Sequence, residues 1–425
     1  MDTKNDIREQ AILCGVDTGV EGSFDSCMEE LERLAAAAMY ETVGVITQKM
    51  TEKHRSLYVG QGKAQEIKEA ALALEAGTLI LYDNLSPSQI RNLQRETELM
   101  VLDRTALILE IFASRAKSRE AKLQVETATL EYMLPRLVGM REALNRQAGA
   151  SGAMSSRGGG EKKLELDRRK INRRLDELKR ELTNIAADRD IMRKKRLSAR
   201  IPLVSLVGYT NVGKSTLLNS MMTVFSAKTE GVYVEDMLFA TLDTTIRRIE
   251  TGDNQDFLLA DTVGFIHRLP HGLVKAFRST LEEVKNADLL LHVVDYSDEN
   301  HKEQIRDTLT TLDELGASGI PMITVYNKAD LCMSELPFQM DEEKIYIAAG
   351  KQVGITELAK MIVAKVYAGF VEVNFLIPYN EGNLVAYLRE TAMIKECEYL
   401  EEGTRMRVSC HIADQKKYSA YVITD

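Results

Sequence analysis

A chain of 425 residues is long enough for two to four domains, each with its own apolar core. Its 55 Lys and Arg against 64 Asp and Glu give a formal net charge of −9, which argues against a protein that coats nucleic acid over its whole surface. Cys14, Cys27, Cys332, Cys397 and Cys410 lack metal spacing and are odd in number, the six histidines form no ligand cluster, and no apolar run could span a bilayer.

These features point away from disulfide scaffolds, zinc modules and membrane-spanning proteins, and toward a reducing, cytoplasmic setting. The segment Met1–Gln10 carries no apolar signal core.

In chain order, residues 1–103 alternate apolar runs with helical stretches, and predict a small parallel α/β unit. The runs are Ala11–Cys14, Val43–Gln48, Thr78–Tyr82 and Leu99–Leu102. Tyr58–Lys63 resembles a phosphate loop but is too short for that pattern, and reads first as a tight turn opening a helix, with an anion site as the lesser option.

Residues 104–200 predict a helical hairpin interrupted once, by the Gly-rich loop 147–160, which is long for a connection between packed helices. Leu164, Ile171, Leu175, Leu178, Leu182 and Ile185 recur at helical spacing and predict a charged amphipathic helix packed on a partner. Residues 161–200 hold fifteen Lys and Arg against eight Asp and Glu, so this segment is about +7 and the remainder about −16. Such a run is usually a solvated face. Arg189, Arg193, Lys194, Lys195, Arg196 and Arg200 at its end make contact with a phosphate backbone the competing reading.

Residues 201–368 predict a doubly wound, mostly parallel α/β domain. Gly208, Tyr209, Thr210, Asn211, Val212, Gly213, Lys214 and Ser215, followed by Thr216, stand between the apolar run Ile201–Val207 and a helical pattern of Leu217, Leu218, Met221 and Met222. That is the strand–loop–helix setting of a P-loop, in which turned-in N–H groups and a helix N-terminus cradle phosphates. Lys214 would reach the β- and γ-phosphates, and the Ser215 hydroxyl would hold Mg²⁺.

Asp261 closes a strand-like stretch from Phe257 and is placed to bind Mg²⁺ through water, while the Gly264 N–H can sense a γ-phosphate. Phe265 stands where many GTPases carry a glutamine, and phenylalanine cannot orient a water. Asn327, Lys328 and Asp330 follow the run Ile323–Tyr326. A carboxylate there accepts from both N1–H and the exocyclic amine of guanine, and would stay unsatisfied against adenine. The nucleotide read from these motifs is GTP, with GDP as product. His292, inside a hydrophobic run, reads as a core histidine. Residues 369–425 predict a small α/β appendage, with strands near Glu372–Ile377 and Met406–His411 around a helix at 382–393.

Beyond the motifs that many GTPases share, Tyr58–Lys63, Asp103–Ala116, Arg119–Glu126, Leu134–Leu137 and Phe239–Asp243 resemble the HflX family of GTPases over essentially the whole chain. Phe265 predicts slow intrinsic hydrolysis, and the resemblance implies a GTPase that docks on the 50S subunit and dissociates stalled or idle 70S ribosomes, its helical subdomain and Gly-rich loop approaching the 23S rRNA. It further implies Thr241, with Thr245 as competitor, as the switch threonine on Mg²⁺, and Asn211 as part of a monovalent-cation site for K⁺. Monomer is the default state.

Three departures from the family pattern stand out. Thr244 replaces a switch proline, Gly158–Glu165 lacks a proline and gains two lysines, and the fifth nucleotide motif, normally Ser-Ala, reads Ala348-Ala349-Gly350-Lys351. An N–H near Ala349 would still meet guanine O6, without the bracing hydroxyl. The alternatives are a GTPase assisting large-subunit assembly and a nucleotide-stabilised RNA-binding scaffold. An ATP-directed role of the N-terminal region finds no second complete motif.

Overall fold

The computed structural model describes residues 8–19, 24–150, 157–199, 201–225, 245–252, 255–266, 283–333, 336 and 339–423. They divide into two compact units, the chain up to Ala186 and the chain from Ala187 onward.

In the first unit, β1 (Glu9–Asp17), β2 (Tyr40–Lys49), β3 (Thr78–Leu81) and β4 (Met100–Leu102) form a wholly parallel sheet in the order β2-β1-β3-β4. Parallel strands are covered on both faces, which is why β1 has six consecutive buried positions instead of an alternating pattern. Helices α1 (Phe24–Ala37), α2 (Gln61–Ala73), α3 (Pro87–Thr97) and α4 (Arg104–Arg115) accompany the strands. Ser86 and Gln89 form a capping box at the start of α3, with Pro87 at its first helical position. Tyr58–Lys63 is a turn leading into α2. The buried Tyr58 hydroxyl donates to Asp83 Oδ2 at 2.6 Å and accepts from the Val16 N–H at 3.1 Å, pinning that turn to the strand ends.

Asp103 joins the sheet to the helices. Fully buried, it caps α4 by accepting from the Ala106 N–H at 2.9 Å, and it accepts from the Leu85 N–H at 3.1 Å. From α5 (Arg119–Ala150) it receives the Tyr132 hydroxyl at 2.7 Å and Arg136 Nη2 at 2.7 Å. The Arg136 guanidinium also lies 3.3 Å from the Tyr132 ring centroid. α6 (Arg157–Ala199) runs back along α5. Arg119 pairs with Glu181 at 2.7 Å and Glu126 with Arg174 at 2.7 and 2.9 Å, so rising numbers on one helix meet falling numbers on the other. Leu175 and Leu178 of the predicted stripe are buried; Ile171, Leu182 and Ile185 are half-buried.

The predicted loop 147–160 is shorter than the glycine count suggested. α5 continues to Ala150 and α6 starts at Arg157, leaving 151–156 outside the described residues. Each glycine costs a helix about 1 kcal/mol relative to alanine. A helix of 43 residues absorbs Gly158, Gly159 and Gly160 at its end, because propagation from formed turns is easier than nucleation.

The second unit holds a seven-stranded sheet in the order β10-β11-β9-β8-β5-β7-β6. Its strands are β5 (Leu203–Val207), β6 (Thr245–Ile249), β7 (Phe257–Asp261), β8 (Leu289–Asp295), β9 (Met322–Asn327), β10 (Gln339–Asp341) and β11 (Lys344–Tyr346). Only the edge strands β6 and β10 pair antiparallel. β5, fully buried, lies between β7 and β8, where the winding direction switches and the crevice at the strand ends opens. α7 (Lys214–Phe225) returns across the sheet and buries Leu217, Leu218, Met221 and Met222.

A separate antiparallel sheet follows, in the order β13-β14-β12-β15, from β12 (Phe370–Ile377), β13 (Met393–Leu400), β14 (Gly403–His411) and β15 (Val422–Ile423), with the helix Gly382–Thr391 against its core. β13 and β15 were not predicted. β13 is a largely exposed edge strand whose alternation carries little apolar signal. Its turn, Glu401–Glu402, is not a hairpin dipeptide; the tight position falls instead on Gly403, at φ +149°, where a Cβ would lie 2.3 Å from the Ile377 carbonyl oxygen.

Candidate functional site

Residues 208–213 form the loop between β5 and α7. Gly208 has φ +144°, and a Cβ there would stand 2.2 Å from the Val293 carbonyl oxygen of β8, so the chain turns here only with glycine. Gly213, at φ +93°, would place a Cβ 2.3 Å from Asn327 Nδ2. Asn211 takes the left-handed conformation at φ +62°.

The Asp261–Phe265 segment lies directly on this loop. Thr210 N–H donates to the Phe265 carbonyl at 2.8 Å, and Phe265 N–H donates to the Gly208 carbonyl at 3.0 Å. Phe265 itself is 2% exposed. The sequence allowed two roles for it, a buried switch residue and a side chain unable to hold water, and the structure buries it. A Cβ on Gly264 would meet Thr210 Cγ2 at 2.8 Å and Lys214 Nζ at 3.0 Å, so loop and segment touch at that point.

Lys214 is buried, and its Nζ donates to the carbonyls of Gly208 at 3.1 Å and Tyr209 at 2.6 Å. Burial pushes its ammonium down to about 8, against the opposing pull of the Asp261 carboxylate. Ser215 Oγ donates to Asp261 Oδ2 at 2.6 Å. A hydroxyl and a carboxylate at that separation are hard oxygen donors of the kind Mg²⁺ accepts. The Thr210 hydroxyl is buried with no hydrogen-bond partner, leaving one uncommitted donor in the loop. Thr241 lies outside the described residues. Thr245 opens β6 directly opposite Asp261. Thr216 follows Ser215 on α7, its carbonyl oxygen 2.9 Å from Ser220 Oγ.

The residues that the sequence predicts to read the base gather at the ends of β9 and β11. Asn327 is buried; its Nδ2 donates to the Val212 carbonyl at 2.9 Å and its Oδ1 accepts from the Ala349 N–H at 2.9 Å. One amide thus ties the phosphate loop to the fifth motif. Lys328, left-handed at φ +56°, donates to the Asn211 carbonyl at 3.0 Å and pairs with Asp295 Oδ2 at 2.7 Å. Asp330 pairs with Lys351 Nζ at 2.8 Å.

The sequence expects an N–H near Ala349 to meet guanine O6. The Ala348 N–H is bonded to the Val353 carbonyl and that of Ala349 to Asn327, so a guanine O6 meeting Ala349 shares that N–H with Asn327. Sequence reading also missed Ser220, whose hydroxyl donates to the Ala349 carbonyl at 2.6 Å and braces the motif from α7. Its only signal was a hydroxyl standing among the buried Leu217, Leu218, Met221 and Met222 of α7. Asp295 likewise carried no motif of its own, and the fifth motif that contains Lys351 did not announce its pairing with Asp330.

His292, on β8, is buried as expected. Desolvation, with the Lys214 ammonium beside it, lowers its imidazole to about 4, so it is neutral at pH 7. Among the described residues no group of three or more His, Cys, Asp or Glu could hold a metal, and no helix is long and apolar enough to cross a membrane.

A mostly parallel doubly wound sheet, with this loop after its central strand and an Asn-Lys-x-Asp turn after β9, defines a P-loop GTPase. Residues 25–113, 115–196 and 203–328 match the families described as GTP-binding GTPase N-terminal, GTP-binding GTPase Middle Region and 50S ribosome-binding GTPase. The chain is 41% identical over 410 residues to the GTPase HflX of Caldanaerobacter subterraneus subsp. tengcongensis, covering 96% of this chain and 93% of that one. It is 39% identical over 420 residues to the GTPase HflX of Escherichia coli K12, covering 97% and 96%. A solved GTP-binding protein from Sulfolobus solfataricus, in complex with GDP, is 26% identical, with 85% and 99% covered and a TM-score of 0.44. The chain belongs to the HflX family of GTPases.

Proposed function

We propose that this GTPase binds the large ribosomal subunit in its GTP form and dissociates 70S ribosomes, with hydrolysis to GDP and phosphate permitting release. The observation that carries this reading is the near-full-length relationship to the HflX GTPases, together with the match of residues 203–328 to a family described as 50S ribosome-binding. The cationic segment 161–200, about +7 in a chain of −9, supports contact with rRNA phosphates through the helical subdomain.

In this reading Gly208–Ser215 encloses the phosphates. Lys214 exchanges its two loop carbonyls for phosphate oxygens, and the Thr210 hydroxyl gains a partner. Ser215 and Asp261, with Thr241 or Thr245, would hold Mg²⁺, which supplies positive charge to the phosphoryl oxygens during transfer. The Gly264 N–H, fixed against the loop, would report the γ-phosphate to the segment that follows. Asn327 orients the base site, and the Asp330 carboxylate accepts from guanine.

Phe265 is buried with its backbone bonded to the loop, so water must be positioned from elsewhere. Asn211 as part of a K⁺ site, and the ribosome, are the two sources this reading names. Steady-state GTPase activity should rise when Na⁺ is replaced by K⁺ and again on adding ribosomes. Equal rates in the two cations would remove the cation from the scheme. Light scattering of 70S particles should fall on adding protein with GTP and hold steady with GDP; a steady trace in both would remove the dissociation step.

A further inference from the structure

We infer that Lys351 is a positioning residue for guanine recognition, standing in for the hydroxyl that Ala348 cannot offer. This rests on reading Asp330 as the base-contacting carboxylate.

A carboxylate that accepts from N1–H and the exocyclic amine must present both oxygens in the plane of the base. Such a group needs something to fix its rotation. Neither Ala348 nor Ala349 carries a donor in its side chain. Lys328, two residues before Asp330, is committed elsewhere, to Asp295 Oδ2 at 2.7 Å and the Asn211 carbonyl at 3.0 Å. Lys351 Nζ lies 2.8 Å from Asp330 Oδ2.

The turn that carries Lys351 is itself held at three points. Ala349 N–H bonds to Asn327 Oδ1, Ala349 O accepts from Ser220, and Ala348 bridges to Val353. Gly354 closes the turn at φ +81°, where a Cβ would sit 2.8 Å from Ile347 Cγ2. The backbone therefore delivers the lysine to a fixed place, and its ammonium sets the carboxylate. The lysine side chain is 67% exposed and that of Asp330 18%, so water and salt screen the pair, and its effect is a few-fold.

The test measures affinities of the full chain for GDP and for inosine diphosphate, which lacks the exocyclic amine, at low and high salt. Lys351→Met should weaken GDP by about threefold at low salt, weaken inosine diphosphate less, and converge on the parent protein near 1 M salt. Lys351→Arg should keep the parent's GDP-over-inosine preference. A Lys351→Met protein that binds GDP as well as or better than the parent overturns the inference, as does equal, salt-independent loss of both nucleotides. Asp330→Asn, which offers an amide N–H to xanthine O2, tests the underlying reading separately. If that variant still prefers GDP to xanthosine diphosphate, Asp330 does not read the base, whatever Lys351 does.

Discussion

His292 sits within the electrostatic reach of Lys214, buried in β8. Its imidazole is lowered from the usual 6.5 to about 4, so between those values the unfolded chain binds a proton that the folded chain refuses. Stability from this residue is complete above pH 6.5 and is lost as pH falls toward 4, by about 3 kcal/mol in all. His292→Leu should therefore lose less thermal stability between pH 7 and pH 4.5 than the parent protein does. Parallel losses in the two proteins would show that this imidazole is not what acid attacks. The same residue shows what single positions disclose in a sequence. The hydrophobic run around His292 marked it as core, but its neighbour Lys214 arrives from another element and no spacing announces it. The pairing of Lys351 with Asp330 and the bond from Ser220 to Ala349 were hidden for the same reason. Asp330 and Lys351 are 21 positions apart, and only the turn after β11 brings them to 2.8 Å.

At the scale of elements, Asp103 links β4, α4 and α5 through one buried carboxylate. Asp103→Ala removes a helix cap and leaves Arg136 beside a buried site without its charge partner. The expected cost is about 3 kcal/mol. Hydrogen exchange of α4 and α5 amides should accelerate in this variant while GTPase activity of the isolated protein is retained. Unchanged protection in both helices would contradict the linking role. The strands of the first sheet and β5, β7, β8 and β9 of the second were legible as apolar runs, whereas β6, β10 and β11 were not, and the P-loop was legible because eight contiguous residues specify one backbone path. β13 was not, since an exposed edge strand needs no apolar pattern. Glycine content marks 147–160 as loop, but α5 reaches Ala150 and α6 begins at Arg157, because the cooperativity of a long helix outweighs the cost of its terminal glycines.

Across the whole molecule, charge is segregated instead of spread. Residues 161–200 are about +7 and the remainder about −16, so any attraction to RNA is concentrated in one segment. Replacing Arg193, Lys194, Lys195 and Arg196 with glutamine should weaken ribosome binding and shallow its salt dependence, leaving the GTPase rate of the free protein unchanged. A variant that binds ribosomes with the parent's affinity and salt slope would place the contact elsewhere.

The most direct measurement is sedimentation of the purified protein with 50S and 70S particles, comparing a non-hydrolysable GTP analogue with GDP. A GTP-gated ribosome factor co-sediments with 50S particles in the analogue and not in GDP, and the 70S peak shrinks as free subunits appear. Equal sedimentation in both nucleotides, or none in either, would contradict nucleotide-gated binding to the large subunit.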